Sequence, residues 1–243
     1  GDRSLRIHLK FDTGMHRLGF ENIADWVTQL KAHPYIRVAS VFSHLASADD
    51  PEEDSFSEKQ IHRFIEMADE LSDILGYSPD RHILNSSGIL RFPDYQMDMV
   101  RLGIGLHGIG DNPGLVPVNR LKSYISQIKR LAPGETVGYG RSGKITASKT
   151  IATIALGYAD GYSRAFGNGR GHVWLNGKLA PVIGNVCMDM TMIDITGIEA
   201  SEGDEVEIFG PSLPIETVAN WANTIPYELL TDVSQRVRRI YVN

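Results

Sequence analysis

In the first half of the chain, polar and cationic groups follow short apolar runs at regular intervals. Residues 5–11 alternate Leu5, Ile7, Leu9, Phe11 against Arg6, His8, Lys10, and lead into Asp12-Thr13-Gly14-Met15-His16-Arg17. A second run ends in Ser43-His44, a third in Asn85-Ser86-Ser87, and a fourth carries Arg101-Leu102-Gly103-Ile104. In parallel α/β folds the positions just past the C-terminal ends of strands are where chemistry is done. Two cations, an imidazole, hydroxyls and glycine-flanked backbone N–H groups suit a small ligand that carries both a phosphate and a carboxylate.

Each of these residues also has a purely structural reading. Lys10 and Arg17 read equally as a solvated rim, His44 as a satisfied core histidine, and Ser86 as a helix N-cap. Arg101 is harder to set aside, because an arginine on an apolar strand stays charged and must be paired. In the second half, Tyr139 lies between Gly138 and Gly140, where it reads either as a reactive phenol or as an aromatic in a glycine-rich turn. Cys187 reads as a small buried hydrophobe before it reads as a nucleophile. It belongs to Gly184-Asn185-Val186-Cys187-Met188-Asp189-Met190, which sets polar groups at a turn between two strands.

The elements that must position these groups change in kind along the chain. After the first strand, Asn22 reads as the cap of a helix with Ile23, Trp26, Val27 and Leu30 on one face, stopped by Pro34. A strand over 38–43 follows, then a capping box of Ser57 and Gln60 opening a helix that ends at Gly76. A strand at 82–85, a helix start at Ser86 and an apolar strand over 98–102 complete this half. Strands alternating with helices predict a parallel α/β arrangement. Residues 112–118 (Asn-Pro-Gly-Leu-Val-Pro-Val) read as a linker. Beyond them come short strands at 122–130, 150–156, 172–175, 178–183, 190–195, 205–209 and 236–242, one helix near 214–223, and an Asn176-Gly177 hairpin signal. The expected division is therefore an α/β part over 1–115 and a mostly antiparallel β domain over 116–243.

The 243 residues carry a net charge of −6, which lacks the electrostatic footprint of a nucleic-acid binder. No apolar run approaches the ~20 residues of a membrane span. The single cysteine excludes an intrachain disulfide and fits a reducing, cytoplasmic compartment.

Taken together, the motifs resemble alanine racemase, the pyridoxal-phosphate enzyme with an N-terminal (β/α)8 barrel of TIM type and a C-terminal β domain. The matching stretches are His8 to Gly19, Ser43 to Asp49, Asn85-Ser86-Ser87 with Arg91-Phe92-Pro93, and Val100 to Ile104. They continue with Val137-Gly138-Tyr139-Gly140, Gly157 to Gly161, Cys187-Met188-Asp189 and Arg236-Val237, in the family's order over the whole chain. The resemblance implies that Tyr139 is the catalytic tyrosine, working on the substrate face opposite the cofactor lysine and reaching into a partner subunit's site. It implies that His44 contacts that tyrosine and that Arg101 stands behind His44 and faces the pyridine nitrogen. Ser86 with the N–H groups of Gly103 and Ile104 resembles the phosphate cradle. Arg17 is similar to the arginine near the substrate carboxylate, and Lys10 to the lysine carboxylated in many members. Met188 and Asp189 resemble the partner's side of the substrate pocket, and Tyr158 a residue of the channel leading into the site. The resemblance further implies a homodimer that interconverts L- and D-alanine by two-base proton transfer and supplies D-alanine for peptidoglycan.

Two departures stand out. Where some members place a phosphate-contacting tyrosine in the C-terminal Ser-x-Arg-Val pattern, this chain has Gln235. None of the eight lysines (10, 31, 59, 122, 129, 144, 149, 178) lies in a stretch like the family's cofactor-lysine segment. With Gly1 where the barrel is almost half complete, the expectation is the C-terminal part of a racemase whose Schiff-base lysine is absent from this chain, inactive in isolation. The alternatives are a serine racemase, the racemase part of a cell-wall ligase fusion, or a non-catalytic dimerisation or binding module.

Overall fold

A computed structural model describes residues 4–242, apart from the side chains of Asp25, Gln29 and Lys31; Gly1-Asp2-Arg3 and Asn243 lie outside the described residues. The chain divides into two compact units, Gly1–Val116 and Pro117–Asn243.

The first unit alternates β1 (Leu5–Lys10), α1 (Ala24–Ala32), β2 (Ile36–Phe42), α2 (Asp54–Leu75), β3 (Asp80–His82) and α3 (Ser86–Arg91). Its three strands form a parallel sheet in the order β1-β2-β3, with Leu5 opposite Ile36, His8 opposite Ser40, and Phe42 opposite His82. The three-to-four-residue spacing of Ile61, Phe64, Met67, Ala68 and Leu71 gives α2 one apolar face, buried with Leu9, Phe11, Val38 and Val41 of the β1 and β2 segments. Ile23 and Trp26 close the same core beside α1. Burying each such large side chain contributes roughly 1.5–3 kcal/mol. Gly76 ends α2 in the left-handed conformation, as its position predicts.

α1 starts at Ala24 behind Ile23, whose own side chain makes no cap bond. Two local expectations fail here. Ser57 and Gln60 form no capping box, because α2 has already begun at Asp54 behind a single 3-10 turn; both lie inside the helix and are buried. Residues 98–102 are not a strand. Two backbone bonds, Asp98 N to Arg81 O (3.2 Å) and Arg101 N to Leu84 O (3.0 Å), lash them to the end of the sheet. The Asp98 carboxylate takes the Arg81 N–H at 2.8 Å, where a strand carbonyl would otherwise accept.

The second unit contains β4 (Leu121–Leu131), β5 (Thr136–Val137), β6 (Gly143–Lys144), β7 (Lys149–Ile154), β8 (His172–Leu175), β9 (Lys178–Pro181), β10 (Thr191–Asp194), β11 (Glu205–Phe209), α4 (Ile215–Trp221) and α5 (Pro226–Asp232). Six strands form an antiparallel sheet in the order β10-β7-β4-β11-β8-β9. A bridge between Val182 and Ile193, with Ile183 N donating to Met192 O at 2.8 Å, brings the chain after β9 back to β10, so the sheet nearly closes on itself. Asn176 and Gly177 turn β8 into β9 with φ of 46° and 83°, the two positive angles of a type I′ turn. Residues 236–242 form no strand: the guanidinium groups of Arg236 and Arg239 bind side chains and loop carbonyls instead of leaving the backbone to a ladder. A second helix, α5, follows α4, because Pro226 stands at the first helical position and opens a helix rather than ending one. Among the described residues no helix is long and apolar enough to cross a membrane.

Candidate active site

Arg101 gathers carbonyls at the C-terminal ends of β2 and β3, one of which, His82 O, also accepts from Ser43 N at 3.3 Å. Arg101 Nη2 donates to Ser43 O (2.6 Å) and Ile83 O (3.0 Å), and its Nη1 to His82 O (3.1 Å). The same guanidinium reaches His82 Nδ1 at 2.7 Å and His44 Nδ1 at 3.3 Å. An arginine only donates, so both imidazoles must present a bare Nδ1 to it. Burial, then the charges of Arg101, Arg17 and Lys10, hold His44 below the ordinary histidine range. Burial, then Arg101, bring His82 down to about 4. Both rings are therefore neutral at neutral pH, and with Nδ1 bare the His44 proton sits on Nε2. With both Nη atoms engaged, Arg101 Nε–H meets no partner among the described residues and is a donor still to be used.

Ser86 is not the cap of its helix. Asn85 fills that role, its Oδ1 accepting from Gly88 N at 2.9 Å. This frees the Ser86 hydroxyl to accept from Gly103 N (2.9 Å) and Gly105 N (3.2 Å), while Ile104 opens a single 3-10 turn whose side chain is buried. A hydroxyl and backbone N–H groups gathered at glycines are groups that can hold an anion. A Cβ at Gly103 would sit 3.8 Å from Ser86 Oγ.

Lys10 and Arg17 flank a loop pinned at its base. Phe20 N donates to Lys10 O and Asp12 N to Phe20 O, both at 2.9 Å. At Gly19 (φ 132°) a Cβ would stand 2.5 Å from Asp12 N, so only glycine closes the loop. Burial pushes the Asp12 carboxyl up, but the N–H groups of Gly14 and His16 outweigh it and hold it below the usual carboxylate range. Ser43 Oγ donates to Phe11 O at 2.9 Å, so Thr13 must donate to Ser43 at 2.8 Å, which ties this loop to the segment that carries His44.

Two residues of this site are not evident as functional from the sequence. Gln60 accepts from Ala46 N (2.9 Å) and donates to His44 O (3.2 Å), fixing the backbone of the His44 loop. Its signal is an amide on the apolar face of α2, which must be bonded when buried. His82, the Arg101 partner, shares with His44 a place at the C-terminal end of a strand, and that position is its signal.

The second unit presents its candidates in a different way. Tyr139 is 73% exposed on the turn between β5 and β6, where Gly138, Gly140 and Arg141 all have positive φ. Asn185 Nδ2 donates to Tyr139 O at 2.9 Å and holds that turn. Tyr158, Met188 and Asp189 lie together: Tyr158 N donates to Cys187 O and Ala159 N to Met188 O, both at 3.0 Å. Gly157 makes this approach possible, since a Cβ there would stand 2.3 Å from Met188 O. Arg236 binds Asp160 through Nε at 2.7 Å and pairs Nη2 with Asp189, and the two carboxylates hold its pKa above the ordinary arginine range. Cys187 is half-buried and Gln235 is exposed. Thus the structure joins His44 with Arg101, Ser86 with Gly103 and with Gly105 on the far side of Ile104, and Tyr158 with Met188 and Asp189. His44 and Tyr139 belong to different units.

Residues 1–111 match the family "Alanine racemase, N-terminal domain" and residues 118–241 match "Alanine racemase, C-terminal domain". Alanine racemase 1 of Oceanobacillus iheyensis is 36% identical over 257 aligned positions, covering 99% of this chain and 68% of that protein. The alanine racemase structure from D-cycloserine-producing Streptomyces lavendulae superposes with a TM-score of 0.91 at 33% identity, over 99% of this chain and 67% of the other. That of Bartonella henselae, with covalently bound pyridoxal phosphate, gives 0.85 at 32%, over 98% and 66%. The chain spans about two-thirds of the length of these relatives.

Proposed function

The chain belongs to the alanine racemase family, a family of isomerases, and from that premise we propose that it supplies the ring-nitrogen arginine, the phosphate cradle and the substrate-side tyrosine of a pyridoxal-phosphate-dependent alanine racemase. One observation carries this reading: Arg101 is fixed by three carbonyls and two imidazoles with Nε–H left to donate, beside a hydroxyl-and-glycine anion cradle.

The residues present fit pyridoxal phosphate. Ser86, Gly103 and Ile104 would hold the phosphate, and Arg101 the pyridine nitrogen. When bound, the cofactor supplies an electron sink that acidifies the α-proton of an amino acid. An arginine, unlike a carboxylic acid, can donate a hydrogen bond to the ring nitrogen but does not give up the proton, so the sink is kept weak, which favours proton return over side reactions. Tyr139 carries the proton on one substrate face. A phenol with an ordinary pKa near ~10 is a poor base at neutral pH, and neutral His44, held by Arg101, is the group assigned to assist it. Arg17 binds the substrate carboxylate, and Lys10, carboxylated, would turn from cation to anion and steady Arg17. Met188, Asp189 and Tyr158 line the substrate side, and Tyr139 with them completes the site of a second copy in a homodimer. The product serves as D-alanine for peptidoglycan in the cytoplasm, and the lysine that tethers the cofactor lies outside this chain.

The test is racemisation of L-alanine, followed by coupled oxidation of D-alanine, in the protein that carries this chain, with and without pyridoxal phosphate. Cofactor-dependent D-alanine formation that Tyr139→Phe abolishes is the expected result. Formation of D-alanine at the same rate by Tyr139→Phe would refute the role of Tyr139, and none by the native protein would refute the reading as a whole.

A further inference from the structure

A buried hydrogen-bond chain continues from Arg101 away from the candidate site. His82 Nδ1 faces Arg101 at 2.7 Å, and the other ring nitrogen, Nε2, lies 3.2 Å from Ser40 Oγ. The Ser40 hydroxyl in turn contacts Nδ1 of His8. Ser40 is 1% exposed, in the middle of β2, while His8 is exposed on the neighbouring β1 directly across from it. Phe42 lies parallel to the His82 ring, 5.2 Å between centroids, with Arg101 Cζ 5.5 Å from its face, so the ring planes are set.

The donors and acceptors in this chain can be ordered from one end. Arg101 has only hydrogens to offer, so His82 Nδ1 is bare. Neutral His82 then carries its proton on Nε2 and donates to Ser40 Oγ. Ser40 has one hydrogen, and the acceptor left for it is His8 Nδ1. A hydroxyl is the group that closes this sequence, because it accepts from one imidazole and donates to the next. A serine is buried here in a parallel strand, where an apolar residue packs better, and among the described residues its hydroxyl is hydrogen-bonded to these two histidines alone.

We propose that Ser40 and His8 are positioning residues for Arg101, forming a one-way relay, Arg101 to His82 to Ser40 to His8, that holds the His82 ring in place and with it the guanidinium. The functional consequence rests on the racemase reading above; the relay itself does not. Arg101 sets the proton on His82 Nε2, and with Ser40 in place that N–H keeps a buried acceptor, so the ring stays turned toward the guanidinium. Without Ser40, the buried Nε2–H loses its acceptor, and the ring is free to turn away from the arginine.

The test reads the imidazole nitrogens directly. In the nitrogen-15-labelled chain at about pH 8, above the ordinary imidazole range, long-range proton–nitrogen correlations are expected to show His82 with a bare Nδ1 and a slowly exchanging Nε2 proton. Ser40→Ala is expected to shift the His82 nitrogens and speed exchange of that proton, and Ser40→Thr, which keeps a hydroxyl, to restore both. His8→Phe, an exposed substitution that spares the buried serine, is expected to move the His82 Nε2–H signal in the same direction. Overlapping His82 signals in native and S40A, or a His82 proton on Nδ1, would overturn the relay, as would an H8F spectrum unchanged at His82. In the protein that carries this chain, S40A should lower kcat by roughly 2- to 10-fold, the worth of one hydrogen bond, with KM for alanine little altered. An unchanged kcat would overturn the positioning role. If the native protein fails to racemise alanine while the spectra behave as described, the racemase reading falls and the relay stands.

Discussion

The two units hold their candidate residues by opposite means. In the first, Arg101, His44, His82 and Ser86 are placed by one another and by carbonyls at strand ends, out of full contact with water. In the second, Tyr139, Tyr158, Met188 and Asp189 face solvent, and apart from the Asp189–Arg236 pair they are placed through their backbone: by glycines at 138, 140 and 157 and by the bond from Asn185 to Tyr139 O. The contrast teaches that burial tunes and exposure presents. A half-buried imidazole beside a guanidinium has its protonation fixed by its surroundings, whereas an exposed phenol on a hairpin is free to meet another surface.

That contrast can be broken or sharpened by substitution. The largest effect is expected at an exposed residue: Tyr139→Phe should reduce racemisation by roughly 10²–10⁴-fold, the range of a lost general acid–base, while leaving the urea midpoint and far-UV spectrum unchanged. An equal loss of stability would mean that the turn is structural and that the division between the units is false. Arg101→Met should do the reverse on stability, costing about 2–3 kcal/mol by stranding the carbonyls of Ser43 and Ile83, as measured by urea denaturation. Gly157→Ala should cost about 1–2 kcal/mol through overpacking against Met188 O, showing that backbone proximity orders the exposed group. With pH the sign follows from His82. Its folded value of about 4 lies below the ordinary one, so the unfolded chain takes up the proton first. Stability should be complete above about pH 6.5 and decline toward 4; a His82→Phe variant should lack that part of the decline. The smallest effect belongs to Asp189→Asn. A surface ion pair contributes little, so the denaturation midpoint should not shift, even though the Arg236 contact is lost.

The sequence made the candidate residues easier to read than the elements beneath them. Arg101 had to be paired wherever it lay, and an Asn-Gly pair between β-rich runs had to be a hairpin; both follow from local chemistry. The failures came where a distant group competed with the local pattern. Ser57 and Gln60 have the spacing of a capping box, but Gln60 is claimed by the loop at 44–46, across the sheet end. Residues 98–102 are apolar enough for a strand, yet the side chain of Asp98 occupies the donor a ladder would need. The 236–242 stretch alternates suitably, but its arginines bind carboxylates and carbonyls elsewhere. His82 was visible as a strand residue and not as a partner, because nothing within its own segment indicates where Arg101 will end up.

The bridge from Val182 to Ile193 has a further consequence, for how the second unit breathes. A sheet with two open margins can fray strand by strand, each margin exchanging its amide hydrogens through small local openings. Once the chain after β9 is joined to β10, no strand of the ring has an unpaired flank from which unzipping could start along that stretch. Amide hydrogen exchange there becomes a collective event, with β7, β4 and β10 opening together. The same bridge shortens the bare ladder open to a foreign strand, so the sheet offers less edge for aggregation even while its exposed tyrosines and methionines stay available for contact.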